Sequence, residues 1–145
     1  MLIGSHIQKV DAKGRTAIPS KFKKELGITV LISRWYEGAV SIFAPESWRR
    51  IVEQATLGSS VSASARDTER FLLGGAFEAT LDAKGRFVIP QILRDFGKIQ
   101  NEVVFVGLGN RIEVWAKSAW IERELHISKN AEKLLERAQG VYREN

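Results

Sequence analysis

Two pentapeptides concentrate the chemistry of this chain: Asp11-Ala12-Lys13-Gly14-Arg15 and, 71 positions later, Asp82-Ala83-Lys84-Gly85-Arg86. Each gathers a carboxylate, an ammonium and a guanidinium around one glycine. Asp at the first position and Gly at the fourth fit a type I turn, with Asp11 and Asp82 accepting backbone N–H bonds. Gly14 and Gly85 would then take the left-handed conformation that closes a bulged hairpin.

Three uses compete for such a segment. In the plainest, Asp and Arg four apart clamp the turn by an exposed ion pair, worth about 0–1 kcal/mol, and Lys is merely solvated. In the second, Asp11 and Asp82 form a proton-sharing carboxylate pair, as in aspartic proteases. Against this, Lys and Arg follow each Asp within four residues and hold it ionised. In the third, the hairpin tips bind nucleic acid, because a two-stranded ribbon fits the duplex major groove. Arg15 and Arg86 would read or clamp bases through the planar guanidinium fork. Lys13, Lys84, Lys21, Lys23 and Lys24 would neutralise phosphates.

Composition narrows the choice. The chain has 145 residues, a net charge of +5 and no cysteine. That excludes disulfides, thiolate zinc sites and thiol nucleophiles. His6 and His126 stand alone, Gly107-Leu108-Gly109 reads as a turn, and no catalytic serine motif or phosphate loop occurs. No enzyme activity, metal or cofactor is expected. Residues 1–24 hold six Lys/Arg against Asp11 alone, which points to a polyanionic partner. No apolar run approaches the ~18 residues of a membrane span and no leader pattern opens the chain, so a soluble cytoplasmic protein is expected.

The elements that position these residues come in duplicate. The 71-residue offset also pairs Ile18-Pro19 with Ile89-Pro90, Gly4 with Gly75 and Phe22 with Leu93. After one insertion it becomes 72, pairing Val40-Ser41-Ile42-Phe43 with Ile112-Glu113-Val114-Trp115 and Trp48 with Trp120. Two half-domains follow, residues 5–47 and 76–119, packed about a pseudo-two-fold axis because a unit this small buries too little surface alone. In the first, strands are expected over 7–10 and 16–18, stopping at Pro19. A helix over 20–26 turns Phe22 and Leu26 inward, and strands follow over 29–33 and 39–43. Residues 48–75 connect the halves: a helix over 46–56, a linker over 58–64 and a helix over 65–73. The tail, 120–145, continues a helix carrying Trp120, Ile121 and Leu125. Ser128 would then cap an amphipathic segment with Ala131, Leu134, Leu135 and Ala138 on one stripe. Phe43, Trp48, Trp115 and Trp120 read as core or subunit interface rather than stacking platforms.

The tandem Asp-x-x-x-Arg hairpins, Gly4, the Ile-Pro after each hairpin and the stretch Gly109-Asn110-Arg111-Ile112-Glu113-Val114-Trp115 resemble the MraZ family of bacterial transcriptional regulators. These are relatives of the AbrB and MazE swapped-hairpin DNA-binding proteins. The resemblance covers about residues 1–125. It implies an α+β, mainly β fold: a double-split, swapped-hairpin β-barrel from two pseudo-symmetric AbrB-like repeats with short peripheral helices. It further implies ring-like homo-oligomers, nucleoid association, and binding to double-stranded DNA at short promoter direct repeats of the division and cell-wall gene cluster, including the regulator's own gene. Arg15 and Arg86, with Asp11 and Asp82, match its DNA-facing motif. The competing assignment is an oligomeric, antitoxin-like interaction module whose basic face docks an acidic protein.

Overall fold

A computed structural model describes residues 1–144. In strand β1 (Leu2–Lys9) the alternating pattern turns His6 and Gln8 inward while Ile3, Ser5 and Ile7 face out. Then come β2 (Arg15–Ala17), α1 (Ser20–Leu26), β3 (Thr29–Arg34), a 3-10 turn (Tyr36–Gly38) and β4 (Val40–Phe43). Helices α2 (Pro45–Thr56) and α3 (Ala63–Leu72) bridge to the second series: β5 (Phe77–Thr80), β6 (Arg86–Val88), α4 (Gln91–Phe96), β7 (Glu102–Gly109) and β8 (Ile112–Ala116). Helices α5 (Lys117–Lys129) and α6 (Ala131–Glu144) close the chain.

The fold is mixed, built on sheet with helices around it, and the two series are interleaved. One antiparallel sheet runs β1-β7-β8-β4-β3-β5, and β2 pairs with β6 in a separate ribbon. Exchanging each strand for its repeat equivalent leaves that order unchanged. Two ladder pairs are also repeat equivalents of each other: Ser41 with Glu113 in the large sheet and Thr16 with Phe87 in the ribbon. The local two-fold axis therefore passes through both pairs.

The core lies between the sheet and the short helices. Pro19 precedes α1, and its carbonyl accepts from the amides of Phe22 at 2.9 Å and Lys23 at 3.3 Å, which starts the helix; Lys23 and Lys24 suit the negative end of its dipole. Phe22 and its equivalent Leu93 enter the core with no exposed surface, joined by Ile18, Ile89, Ile42 and Phe105. Burying a side chain of this size contributes about 1.5–3 kcal/mol. Ala39, Val104, Val106 and Trp115 form a second cluster, with Trp35 and Trp120 against it.

Several elements depart from the sequence reading. The arms of the expected hairpin do not ladder with each other: β1 pairs over its whole length with β7, and β2 pairs with β6. β1 and β7 pair through eight residues each, and the three-residue β2 is left to its own equivalent. Gly107 is strand, not turn, whereas Gly109, the last residue of β7, has a φ of 85° and enters the tight turn that the Leu108 amide closes by donating to the Arg111 carbonyl at 2.9 Å. A Cβ at Gly107 would lie 2.6 Å from the Ile3 amide nitrogen, so glycine there permits close backbone approach between β1 and β7.

Helix α3 begins at Ala63, inside the expected linker, because Ser62 caps it by accepting from the Ala65 amide at 3.2 Å. Among the described residues Ser128 caps no helix. It lies in the last turn of α5, and Asn130, whose carbonyl accepts from the Leu134 amide at 2.9 Å, starts α6 instead. Ile121, Leu125, Leu134 and Leu135 remain exposed, while Trp120 packs ring to ring against Trp115 of the sheet. Of the expected tail, residue 145 lies outside the described residues.

Candidate nucleic-acid interface

The ribbon register places the two arginines. Arg15 lies opposite Val88 and Arg86 opposite Ala17, on either side of the axial Thr16–Phe87 pair. Opposed residues share a face and successive residues alternate, so Arg15, Ala17, Arg86 and Val88 occupy one face while Thr16 and Phe87 take the other. Burial follows: Thr16 and Phe87 are 7% and 6% exposed, whereas the Arg15 and Arg86 side chains are 61% and 64% exposed. As diagonal neighbours across the axis, the arginines leave the ribbon roughly 7–8 Å apart.

Each arginine is oriented by the turn before it. Asp11 Oδ1 accepts from the amides of Lys13 at 3.0 Å and Arg15 at 2.8 Å, and Oδ2 accepts from Arg15 Nε at 2.5 Å. Asp82 repeats the set with Lys84 at 2.9 Å, Arg86 at 2.8 Å and Arg86 Nε at 2.6 Å. The Gly14 and Gly85 amides return to the Asp carbonyls at 2.9 Å, and both glycines hold a positive φ, 84° and 77°. Because Asp engages only Nε, the paired Nη groups remain for a ligand. Among the described residues they have no hydrogen-bond partner within the chain. An arginine edge left open in this way can donate bidentately to guanine O6/N7 or to phosphate.

The Arg15 amide, then the Arg15 guanidinium, hold the Asp11 carboxyl below the ordinary aspartate value. Arg86 does the same for Asp82. Two carboxylates each stabilised in the ionised form are the reverse of a proton-sharing pair.

The lysines separate into two kinds. Lys13 and Lys84 stand exposed in the turns, and Lys21 and Lys24 on α1. Lys21 Nζ also lies 5.6 Å from the centroid of the Phe22 ring. Lys23 is half-buried and donates to the Ala83 carbonyl in the opposite repeat's turn. Arg94, which the sequence reading passed over, does the converse: Nε donates to the Ile89 carbonyl at 2.9 Å and Nη1 to the Ala12 carbonyl at 3.4 Å. Its signal was present, since the 71-residue offset maps Lys23 onto Arg94 and both are basic.

Gln8 and Thr16 were also missed. Gln8 Nε2 donates to the Ala17 carbonyl at 2.9 Å and Thr16 Oγ1 to the Lys9 carbonyl at 2.8 Å, tying ribbon to sheet. An open groove of about 1040 Å³ runs between β1 and the ribbon, lined by Ile7, Lys9, Arg15, Ala17, Arg86 and Val88 among others.

The aromatic pairs lie elsewhere. Phe43 packs on Trp48 with ring centroids 5.5 Å apart and Trp115 on Trp120 at 5.6 Å, with Phe43 and Trp115 buried. Among the described residues no three His, Cys, Asp or Glu gather as metal ligands, and no helix is long and apolar enough to cross a membrane.

Fold and site together define a class: a tandem pair of β-β-α-β-β units, interleaved about a local two-fold, offering two carboxylate-oriented arginines on one ribbon. The family described as "MraZ protein, putative antitoxin-like" matches twice, over residues 1–71 and 72–141. The chain belongs to the MraZ family. It is 34% identical over 136 residues to a protein of Thermoanaerobacter sp. (strain X514), covering 94% of this chain and 95% of that one. It is 38% identical over 120 residues to one of Bifidobacterium longum (strain NCC 2705), covering 83% and 80% respectively. A third, from Clostridium acetobutylicum, is 34% identical over 132 residues, covering 90% and 93%. Each bears the name "Transcriptional regulator MraZ".

Proposed function

We propose that this chain is a sequence-specific DNA-binding transcription regulator without catalytic activity, a cytoplasmic, nucleoid-associated repressor. It acts as a ring-like homo-oligomer on promoter direct repeats of the division and cell-wall gene cluster, its own promoter included. The observation that carries this reading is the pair of exposed arginines on one ribbon face, each with its Nη edge free of partners among the described residues. The names of its relatives support the regulatory role, and the family resemblance supplies the target.

In this reading the interleaved strands belong to a swapped-hairpin barrel. Residues 5–47 and 76–119 are its DNA-facing repeats, joined by 48–75 and followed by the tail. Arg15 and Arg86 contact base edges or clamp the backbone, and Lys13, Lys84, Lys21 and Lys24 meet phosphates. One protomer meeting about four phosphates has a log-affinity against log-salt slope near −3.6, too weak a grip for selectivity at physiological salt. Several protomers on one duplex supply the remainder by multivalency.

The test is the solution mass of the protein with and without the duplex upstream of its own gene, with unrelated duplex as competitor. A discrete complex that resists the competitor is expected. A complex lost equally to any duplex refutes sequence specificity. Binding to an acidic protein in preference to either duplex favours the antitoxin-like module instead.

A further inference from the structure

The turns that carry the arginines are held by the other repeat. The Ile18 amide donates to the Gly85 carbonyl, and the Ile89 amide to the Gly14 carbonyl, each at 2.9 Å. Onto this backbone exchange the helices add one side chain each. Arg94 of α4 bonds the carbonyls of Ile89 and Ala12, and Lys23 of α1 bonds that of Ala83. Ala12 and Ala83 are equivalent positions, as are Lys23 and Arg94, so one brace occurs twice, built once from an ammonium and once from a guanidinium.

The Arg94 head lies against the turn closely enough that a Cβ on Gly14 would stand 2.7 Å from its Cζ. The carbonyl it holds belongs to the peptide that also carries the Lys13 amide, which donates to Asp11 Oδ1. If that peptide rotates, Asp11 loses one of its anchors, and Asp11 Oδ2 is what orients Arg15 Nε.

We propose that Arg94 and Lys23 are positioning residues acting crosswise: Arg94 sets the turn that aims Arg15, and Lys23 sets the turn that aims Arg86. Neither arginine is placed by its own half alone. Lys23 thereby serves the turn rather than a phosphate. The functional consequence rests on the DNA-binding reading; the bracing itself does not.

Amide exchange followed by mass spectrometry on the full chain tests the bracing without DNA. Losing a charge-assisted hydrogen bond on Arg94→Ala is expected to speed exchange about 10-fold at residues 11–15 and to leave residues 82–86 unchanged. Lys23→Ala gives the reverse pattern. Arg94→Lys stays close to the parent, since lysine already fills the equivalent position. Faster exchange confined to the substituted residue's own repeat, or equal in both turns, overturns the proposal. Lys23→Ala and Arg94→Lys carry the test if Arg94→Ala does not fold.

Affinity for the duplex upstream of the chain's own gene gives the second readout. Arg94→Ala should weaken it about 10-fold with an unchanged salt slope. A slope shallower by about 0.9 assigns Arg94 to a phosphate and overturns the positioning role. If the unsubstituted protein does not select that duplex while the crosswise exchange pattern holds, the DNA reading falls and the bracing stands.

Discussion

Substituting glycines that share a positive φ but differ in their surroundings separates local strain from the interlock between repeats. Gly38, Gly85 and Gly14 have φ of 77°, 77° and 84°. Left-handed geometry costs an L-residue about 1–2 kcal/mol, partly offset by about 0.4–1 kcal/mol of lost unfolded-state entropy. At Gly38 a Cβ meets nothing within 4 Å, so Gly38→Ala is expected to cost about 1 kcal/mol.

At Gly85 the Cβ would come 3.1 Å from the Ile18 carbonyl oxygen and 3.6 Å from the flexible Lys23 Cδ, so Gly85→Ala falls in between. At Gly14 it would come 2.7 Å from the Ile89 carbonyl oxygen and 2.6 Å from Arg94 Nε. Backbone cannot yield there without breaking the Ile89–Gly14 bond, which adds about 1–3 kcal/mol of overpacking to the strain. Urea unfolding at one fixed protein concentration reads the series, because assembly shifts apparent stability with concentration. Midpoints should fall in the order Gly38→Ala, Gly85→Ala, Gly14→Ala, the last losing about 2–4 kcal/mol. Equal losses at all three positions would refute the interlock, leaving φ alone to explain them.

Three further outcomes are expected. Arg15→Ala and Arg86→Ala should each weaken binding to the duplex upstream of the chain's own gene by about 10- to 100-fold while urea midpoints stay within error; unchanged affinity in a folded variant removes the role assigned to that arginine. The carboxyls of Asp11 and Asp82, followed by carbon NMR, should titrate below the ordinary 3.8. Because folding lowers their pKa, their contribution is complete above the unfolded value and is lost as pH falls through the folded one, so turn order should be flat between pH 5 and 8 by this mechanism; a midpoint above 3.8 would contradict the hydrogen bonding. Glu113 is 8% exposed and accepts from Arg111 Nε at 3.1 Å, Arg111 Nη2 at 3.0 Å and Trp115 Nε1 at 3.0 Å. Glu113→Ala strands those donors and should cost about 2–4 kcal/mol in urea unfolding, with a loss under about 0.5 kcal/mol, the range of ordinary surface changes, showing that water replaces the carboxylate.

Local chemistry was legible in the amino-acid sequence because it is decided within a few residues. The spacing of Asp11 to Gly14 implies the turn that forms. Pro19, Phe22 and Gly27 frame a helix whose observed bounds, Ser20–Leu26, match the expectation. The 71- and 72-residue offsets also determine which residues are equivalent, and so which ladder pairs a two-fold axis must cross. The reading of Gly107 as turn failed because glycine marks a tight turn and a close strand approach alike; only the position of β1 against β7 distinguishes them.

Tertiary structure decided which strands pair, and with that the face of the molecule the arginines occupy. Nothing near residue 15 specifies that Val88 lies opposite it, or that β1 leaves its neighbour for a strand about a hundred residues away. That choice follows from burying both repeats' apolar faces together in one core, a balance set by the whole chain. The dual nature of the basic residues was settled the same way. Lys23 and Lys24 are neighbours of identical chemistry on one helix, yet only Lys23 has the Ala83 carbonyl within reach, because the direction of a side chain on a helix selects its partner and the packing of the other repeat supplies it.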